Sequence, residues 1–250
     1  MDTFSAKKLP APSEYMEHAQ KMESDCESAT DAALSNAGEK APKCAANLTA
    51  LLVQMDAVSG CHWGCHGGDH RPEYLAGRLV SSVRASLALL RKGFYDESFN
   101  ITRSIGEIAN LLFLFAQDRP SYERWVMVDD TVRRQEFSQV MVRRALEERG
   151  LPIPMDQGRY SALSGIATHV SPQTRPNAYN PHQRPKSGGY FEFASSIAAL
   201  NELAGAFAIA SFAITQLIPL SEECKAEVTR TAHTLLKSVG GLSLAEVQKK

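Results

Sequence analysis

The chain has 250 residues, of which 44% are hydrophobic and 22% are charged. This composition is typical of a soluble globular protein and excludes wholesale disorder. A total of 27 Lys and Arg against 28 Asp and Glu gives a net charge of −1, so binding to nucleic acid or acidic lipid would need a local patch. Residues 1–20 lack the apolar core of a secretory signal, and the 5 cysteines are an odd number with two close together. Both observations favour a reducing, cytoplasmic location.

The amino-terminal segment, residues 1–44, is predicted to be a polar arm outside the main domain. It is rich in Ala, Ser and Glu, and one amphipathic helix is expected over residues 13–37. A single α-helical domain is predicted for residues 45–250. This domain begins with a short helix over residues 45–55, and a Gly- and His-rich loop follows over residues 59–71.

The clearest pattern in the chain is a helical hairpin. Apolar residues at helical spacing predict a first helix that begins at Pro72 and ends at Gly93. A second helix is predicted over residues 96–116, with an apolar stripe at Ile101, Ile105, Ile108, Leu112 and Phe115. The connection between them is so short that the two helices must be antiparallel.

The remaining segments also predict helices. A third long helix is expected over residues 121–149, a shorter one over 158–170, and another long one over 190–218, with a final amphipathic helix after Ser221. No segment has the alternating period of a half-buried strand, so the predicted fold is an all-α bundle built around the hairpin.

Small residues fall on one side of the helix predicted over residues 190–218. They are Ala204, Ala208 and Ser211, and they allow another helix to approach closely. This face is predicted to join two copies of the chain in a homodimer.

The most apolar stretch, residues 203–220, is predicted to be a buried helix rather than a membrane span. It lies at the short end of the ~20 residues that a span requires, and it is rich in Ala rather than Leu. Gln216 and Pro219 interrupt it. No association with a membrane is therefore expected.

Two cysteines and several histidines fall within the loop over residues 59–71. Thiolate and imidazole are the ligands that zinc prefers, and structural sites commonly use four of them. The predicted ligands are Cys61, Cys65, His66 and His70, and the glycines between them would let the backbone fold around an ion. The cysteines are separated by three residues, whereas a zinc knuckle usually has two between them. Packed thiols and histidines that cap helices therefore remain alternatives.

Four polar residues lie at steps of three and four along the second hairpin helix. They are Asn100, Arg103, Glu107 and Asn110, and this spacing places them on one face, opposite the Ile stripe. Near its carboxyl end this helix is hydrophobic on nearly every side, which is typical of a buried helix. We therefore expect Arg103 and Glu107 to be buried and to pair with each other or to face a cavity. The alternative is an ion pair on a solvated face.

A second polar set precedes a proline-rich basic loop. Tyr160 and His169 lie in and just after the short helix, and the imidazole of His169 would serve as an acid or base near neutral pH. The loop, residues 171–189, has no acidic residue and carries Arg175 and Arg184, whose charges suit a phosphate backbone. The alternatives are a histidine that satisfies a carbonyl and a loop that is only a solvated connection.

Residues 84–118, RASLALLRKGFYDESFNITRSIGEIANLLFLFAQD, resemble the helical hairpin of the HEPN superfamily and of a related group of uncharacterised bacterial helical-bundle proteins. Residues 160–170, YSALSGIATHV, are similar to an element of that second group. The resemblance implies a helical bundle that often dimerises, with activities from metal-independent RNA cleavage in toxins and phage defence to non-catalytic scaffolding. The nuclease motif of the superfamily has a His shortly after an Arg on a helix, whereas here Arg103 is followed by Glu107.

Two functions follow from these observations. In the first, a defence- or toxin-type protein acts on RNA or a nucleotide phosphate: Arg103 binds the phosphate, Glu107 orients Arg103 and His169 is the acid or base. Asn100, Asn110, Tyr160, Arg175 and Arg184 would contact this substrate. The alternative is a non-enzymatic interaction module stabilised by zinc. A third possibility is a purely structural bundle, in which both polar clusters serve only packing. The sequence leaves undecided whether the protein is an enzyme.

Overall fold

The computed structural model describes residues 9–65, 68–168 and 187–239, and all the regular structure within these ranges is helical. The prediction of an all-α bundle is therefore confirmed. The helices, in chain order, are α1 (Pro12–Asn36), α2 (Lys40–Ser59), α3 (Arg71–Arg91), α4 (Tyr95–Gln117), α5 (Arg119–Met127), α6 (Asp130–Glu136), α7 (Gln139–Glu148), α8 (Gln157–Ala167), α9 (Phe193–Thr215) and α10 (Glu222–Ser238).

The predicted hairpin is formed by α3 and α4. The hydroxyl of Ser86 on α3 lies 2.8 Å from that of Ser98 and 3.2 Å from that of Thr102 on α4, so the two helices are in direct contact. The turn between the helices needs glycine at position 93, where φ is +80°. A Cβ atom there would lie 2.3 Å from the carbonyl oxygen of Tyr190, so the chain preceding α9 packs directly on the turn.

Helix α9 is the centre of the bundle. It packs against α2, α3, α4 and α10, and most of its residues are buried, as expected for a helix that is apolar on every side. It is the one helix of the described ranges that is long and apolar enough to cross a membrane, with a mean hydropathy of 1.7, and 72% of that apolar window is buried inside the protein.

The structure contradicts the predicted dimer face on α9. Ala204, Ala208 and Ser211 have no exposed surface, because neighbouring helices of the same chain cover α9. The small side chains thus serve close packing within one molecule. The homodimer stays a prediction, but this face is not available to a second copy.

The prediction of one long helix over residues 121–149 is also wrong. Three short helices, α5, α6 and α7, occupy this region. Val128 is extended, and the carboxylate of Asp129 accepts hydrogen bonds from the backbone N–H groups of Thr131 and Val132, which starts a new helix. Ser138 has extended dihedral angles and precedes α7, although its side chain forms no capping hydrogen bond.

The amino-terminal segment packs on the bundle through α1. Cys26, Thr30 and Leu34 are its buried residues, and the hydroxyl of Thr30 donates to the carbonyl oxygen of Arg91 at the end of α3. The guanidinium of Arg91 also pairs with Asp31. The boundary predicted between residues 44 and 45 falls inside α2.

Candidate functional site

The polar stripe of α4 faces α8 and the residues just before it. Three residues of the stripe form hydrogen bonds with this segment, in reverse order along the chain: Asn100 with Thr168, Arg103 with Tyr160, and Asn110 with Met155. Helix α8 is therefore antiparallel to α4 along the stripe. The predicted alignment of these side chains on one face is confirmed.

Asn110 has a packing role rather than the predicted contact with substrate. Its side chain is fully buried; its Nδ2 donates to the carbonyl oxygen of Met155 at 2.9 Å, and its Oδ1 accepts from the N–H of Met155 at 2.8 Å. Gly106 allows this approach, since a Cβ there would lie 2.1 Å from the Met155 methyl carbon. Because the side chain is fully buried and both its nitrogen and its oxygen bond to Met155, Asn110 holds α4 to the segment before α8 rather than facing a ligand.

Arg103 is largely buried, as predicted. Only 14% of its side chain and 22% of that of Glu107 are exposed, and Arg103 Nη1 lies 2.7 Å from Glu107 Oε1. The same nitrogen donates to the hydroxyl of Tyr160 at 2.9 Å. The Nε atom of Arg103 is buried and has no hydrogen-bond partner among the residues that the structure describes.

A second guanidinium joins this group from α7. Arg143 is 8% exposed, and its Nη2 donates to Gln157 Oε1 at 2.6 Å. Its guanidinium carbon lies 4.8 Å from the centre of the Tyr160 ring, and that of Arg103 lies 5.1 Å from the same point. Arg143 Nη1 is buried and has no partner within the described ranges. We call Arg103, Glu107, Arg143 and Tyr160 the arginine cluster.

Arg143 is not among the residues predicted from the sequence, although its helix carries a signal. Arg143 directly follows the buried Val142 and precedes the buried Leu146 by three residues, so it lies on the inner side of α7. An arginine at such a position must find a partner or a ligand.

The arginine cluster carries more positive than negative charge. Burial raises the pKa of Glu107, while the positive charges of Arg103 and Arg143 act in the opposite direction. Even with this carboxyl ionised, two guanidinium groups face one carboxylate. One turn after Tyr160, the hydroxyl of Ser164 is also buried without a partner among the described residues. The arrangement thus offers several hydrogen-bond donors that lack an acceptor.

Three of the residues predicted for the substrate site lie outside the described ranges: His169, Arg175 and Arg184. Most of the proline-rich basic loop lies outside them as well. The structure does describe Thr168, whose hydroxyl donates to Asn100 Oδ1 at 2.9 Å. The residue just before His169 therefore lies beside the polar stripe.

The loop between α2 and α3 brings together three of the four predicted metal ligands. One ligand atom each from Cys61, Cys65 and His70 lies within 4.8 Å of the others, and this group could hold a metal ion. The Cys61 sulfur is 3.8 Å from His70 Nδ1, and the Cys65 sulfur is 3.6 Å from His70 Nε2. His66, the fourth predicted ligand, is outside the described ranges.

Cys61 takes a backbone conformation that cysteine rarely adopts. Its φ is +53°, and the N–H groups of Cys61 and His62 bond to the carbonyl oxygens of Val58 and Ala57. This pattern ends α2 at a position where glycine is usual. A non-glycine residue there costs about 1 kcal/mol, so the helix end alone does not account for a cysteine.

The far side of the loop is anchored to α5. Asp69 accepts hydrogen bonds from the N–H of Arg71 at 3.0 Å and from the hydroxyl of Tyr122 at 2.9 Å. Burial alone would raise the pKa of Asp69, but these hydrogen bonds outweigh it and the pKa lies below its ordinary value. Burial and the bond to Asp69 raise the pKa of Tyr122 to about 12. The tyrosine is therefore a stable neutral donor that holds the loop in place.

Comparisons of this chain with protein-family models, with curated proteins and with solved structures found no match.

Proposed function

We propose that the arginine cluster binds a phosphate group of RNA or of a nucleotide. The observation that carries the proposal is the pair of guanidinium groups on one tyrosine ring, each with a buried N–H that has no acceptor in the described part of the chain. Buried donors of this kind are costly unless something accepts from them. Guanidinium groups match phosphate oxygens in both charge and geometry.

Each residue of the cluster has a separate task in this proposal. Arg103 and Arg143 bind phosphate oxygens, Glu107 holds Arg103 by a 2.7 Å ion pair, and the Tyr160 ring fixes the plane of both arginines. His169 would be the acid or base if the ligand reacts, because it directly follows Thr168, whose hydroxyl bonds to Asn100 of the polar stripe. Arg175 and Arg184 would extend the positive surface along a nucleic acid backbone.

The HEPN-like resemblance of residues 84–118 supports the same class of ligand. Those residues include the hairpin turn and the part of α4 that carries Arg103 and Glu107. A defence- or toxin-type role on RNA follows from the resemblance, and the protein's own residues supply the phosphate-binding group that such a role needs.

Equilibrium binding tests the proposal. A fluorescent single-stranded RNA would be titrated with the protein at several salt concentrations, and nucleotides would be added as competitors. Arg143→Gln should weaken binding and reduce the salt slope by about 1, because one phosphate contact is lost. Arg124→Gln is the matched control, because it removes the same charge from an exposed arginine that pairs with Glu136. Equal loss in both variants, or no binding by the wild type, would refute the proposal.

A second candidate function is a zinc-stabilised interaction module. The group of Cys61, Cys65 and His70 favours it, because two sulfurs and an imidazole are the ligands that zinc prefers. Zinc bound there would join the end of α2 to the start of α3. Metal analysis of protein purified without a metal-affinity step should find one zinc per chain, and Cys61→Ser with Cys65→Ser should abolish it. Protein without stoichiometric zinc would contradict this candidate.

A further inference from the structure

We propose that Glu73 is the fourth ligand of a closed zinc site formed with Cys61, Cys65 and His70, an inference that rests on the zinc candidate above. The site would then be structural, because four protein ligands leave no open position for a substrate.

The carboxylate of Glu73 is buried away from water. Glu73 is 7% exposed, and its Oε2 is buried without a hydrogen-bond partner among the residues that the structure describes. A carboxylate loses several kcal/mol of hydration on burial unless it is paired or binds a metal. Glu97, at the same third position of α4, is exposed, so an acidic residue in the first turn of a helix does not itself require burial.

The Glu73 carboxylate lies beside the imidazole of His70. Its Oε1 lies 3.9 Å from His70 Nδ1, and the Cys61 sulfur lies 3.8 Å from the same nitrogen. Zinc bonds of about 2.0–2.3 Å in a tetrahedron require ligand atoms to lie about 3.4–3.8 Å apart. Glu73 and Cys61 are thus close to this spacing around Nδ1. The Cys65 sulfur lies beside Nε2 of the same ring, so the exposed Cys65 side chain would turn toward the ion.

The charges of these four side chains also suit a divalent cation. Cys61, Cys65 and the Glu73 carboxylate each lie near the imidazole of His70, which is neutral when it binds a metal. Arg71, the nearest cation in the sequence, already pairs with Asp69 at 3.0 Å. Zinc binding would ionise both thiols, and the charge of the divalent cation would then offset two thiolates and the Glu73 carboxylate.

Cobalt substitution and X-ray absorption test this inference on the full chain. Wild-type protein reconstituted with Co²⁺ should show thiolate charge-transfer bands and the intense d–d bands of a four-coordinate ion. Glu73→Gln should bind Co²⁺ and Zn²⁺ at least about tenfold more weakly and lose d–d intensity as water enters the site. The matched control Glu97→Gln and the variant His66→Ala should behave as the wild type. Unchanged binding by Glu73→Gln, or a loss in His66→Ala instead, would overturn the assignment.

Absorption at the zinc edge of the wild type needs no variant and thus does not depend on how Glu73→Gln folds. The assignment requires scattering from two sulfurs, one imidazole and one further oxygen, which Glu73→Gln identifies as the carboxylate, and scattering from two imidazoles overturns it. A wild type that binds neither metal refutes the zinc candidate itself. A wild type that binds zinc with two imidazoles refutes only the role of Glu73.

Discussion

Replacement of Arg103 by methionine tests whether the arginine cluster is built for stability or for a ligand. Methionine keeps most of the length and apolar contact of the side chain but removes its charge. Glu107, with 22% of its side chain exposed, would lose the ion pair at 2.7 Å, and Tyr160 would lose the N–H that its hydroxyl accepts. Arg143 still acts on Glu107, so part of the compensating charge remains.

The expected cost follows from the burial of this pair. Removal of one partner of a fully buried ion pair lowers the free energy of unfolding by about 3–5 kcal/mol. Because this pair is partly exposed and Arg143 remains, we expect about 2 kcal/mol for Arg103→Met. The double variant Arg103→Met with Glu107→Leu removes both charges, and its stability should return to within about 1 kcal/mol of the wild type.

Urea unfolding followed by circular dichroism at pH 7 measures these free energies, and RNA titration measures ligand binding on the same samples. The account predicts a double variant that is stable but does not bind. A cost below about 0.5 kcal/mol for Arg103→Met would mean that the ion pair behaves as a solvated surface pair. A stable double variant that binds RNA as the wild type does would refute the role of the pair in the ligand site.

Three further predictions concern other parts of the structure. Asn110→Ala should lower the free energy of unfolding by about 3 kcal/mol, because the buried N–H and carbonyl of Met155 lose their partners. A loss below about 1 kcal/mol in urea unfolding would contradict this prediction. Affinity for an oligouridine RNA should rise as the pH falls through the raised pKa of Glu107, because protonation removes the one negative charge of the cluster. In binding titrations between about pH 5 and 8, Glu107→Gln should abolish that rise. Tyr122→Phe removes the 2.9 Å bond to Asp69, so it should cost about 1 kcal/mol and weaken Co²⁺ binding by the loop, whereas unchanged affinity would show that the anchor does not order the site.

The hairpin and its polar stripe could be predicted because they depend on local spacing. Apolar residues at steps of three and four define the inner face of α3 and α4, and the same arithmetic places Arg103 and Glu107 together one turn apart. The burial of Arg103 followed from the apolar residues that surround its helix. These properties require no knowledge of which helices meet.

The breaks between α5, α6 and α7 could not be predicted from apolar spacing. Asp129 and Ser138 are tolerated within helices as well as at their starts, and only the extended backbone at Val128 and Ser138 shows that new helices begin. The small residues of α9 have a similar ambiguity, since close approach within a chain and between chains favours the same side chains.

The second arginine and the metal loop depend on contacts between distant segments. Arg143 reaches Tyr160 only because α7 and α8 both pack on α4, and no local pattern gives that arrangement. The ligands Cys61 and His70 were recognisable by type, whereas Glu73 is an ordinary first-turn acid in the sequence. Its burial beside His70 distinguishes it.

The most direct test of the phosphate site is nuclear magnetic resonance of the arginine Nε–H groups in ¹⁵N-labelled protein. The Nε–H resonance of Arg103, assigned by its absence in Arg103→Lys, would be followed as a uridine nucleotide or short RNA is added. The account predicts a saturable shift at this buried N–H, with no shift for the control Arg124. If the Arg103 signal stays fixed while the ligand binds elsewhere, or does not bind, the arginine cluster is not the phosphate site.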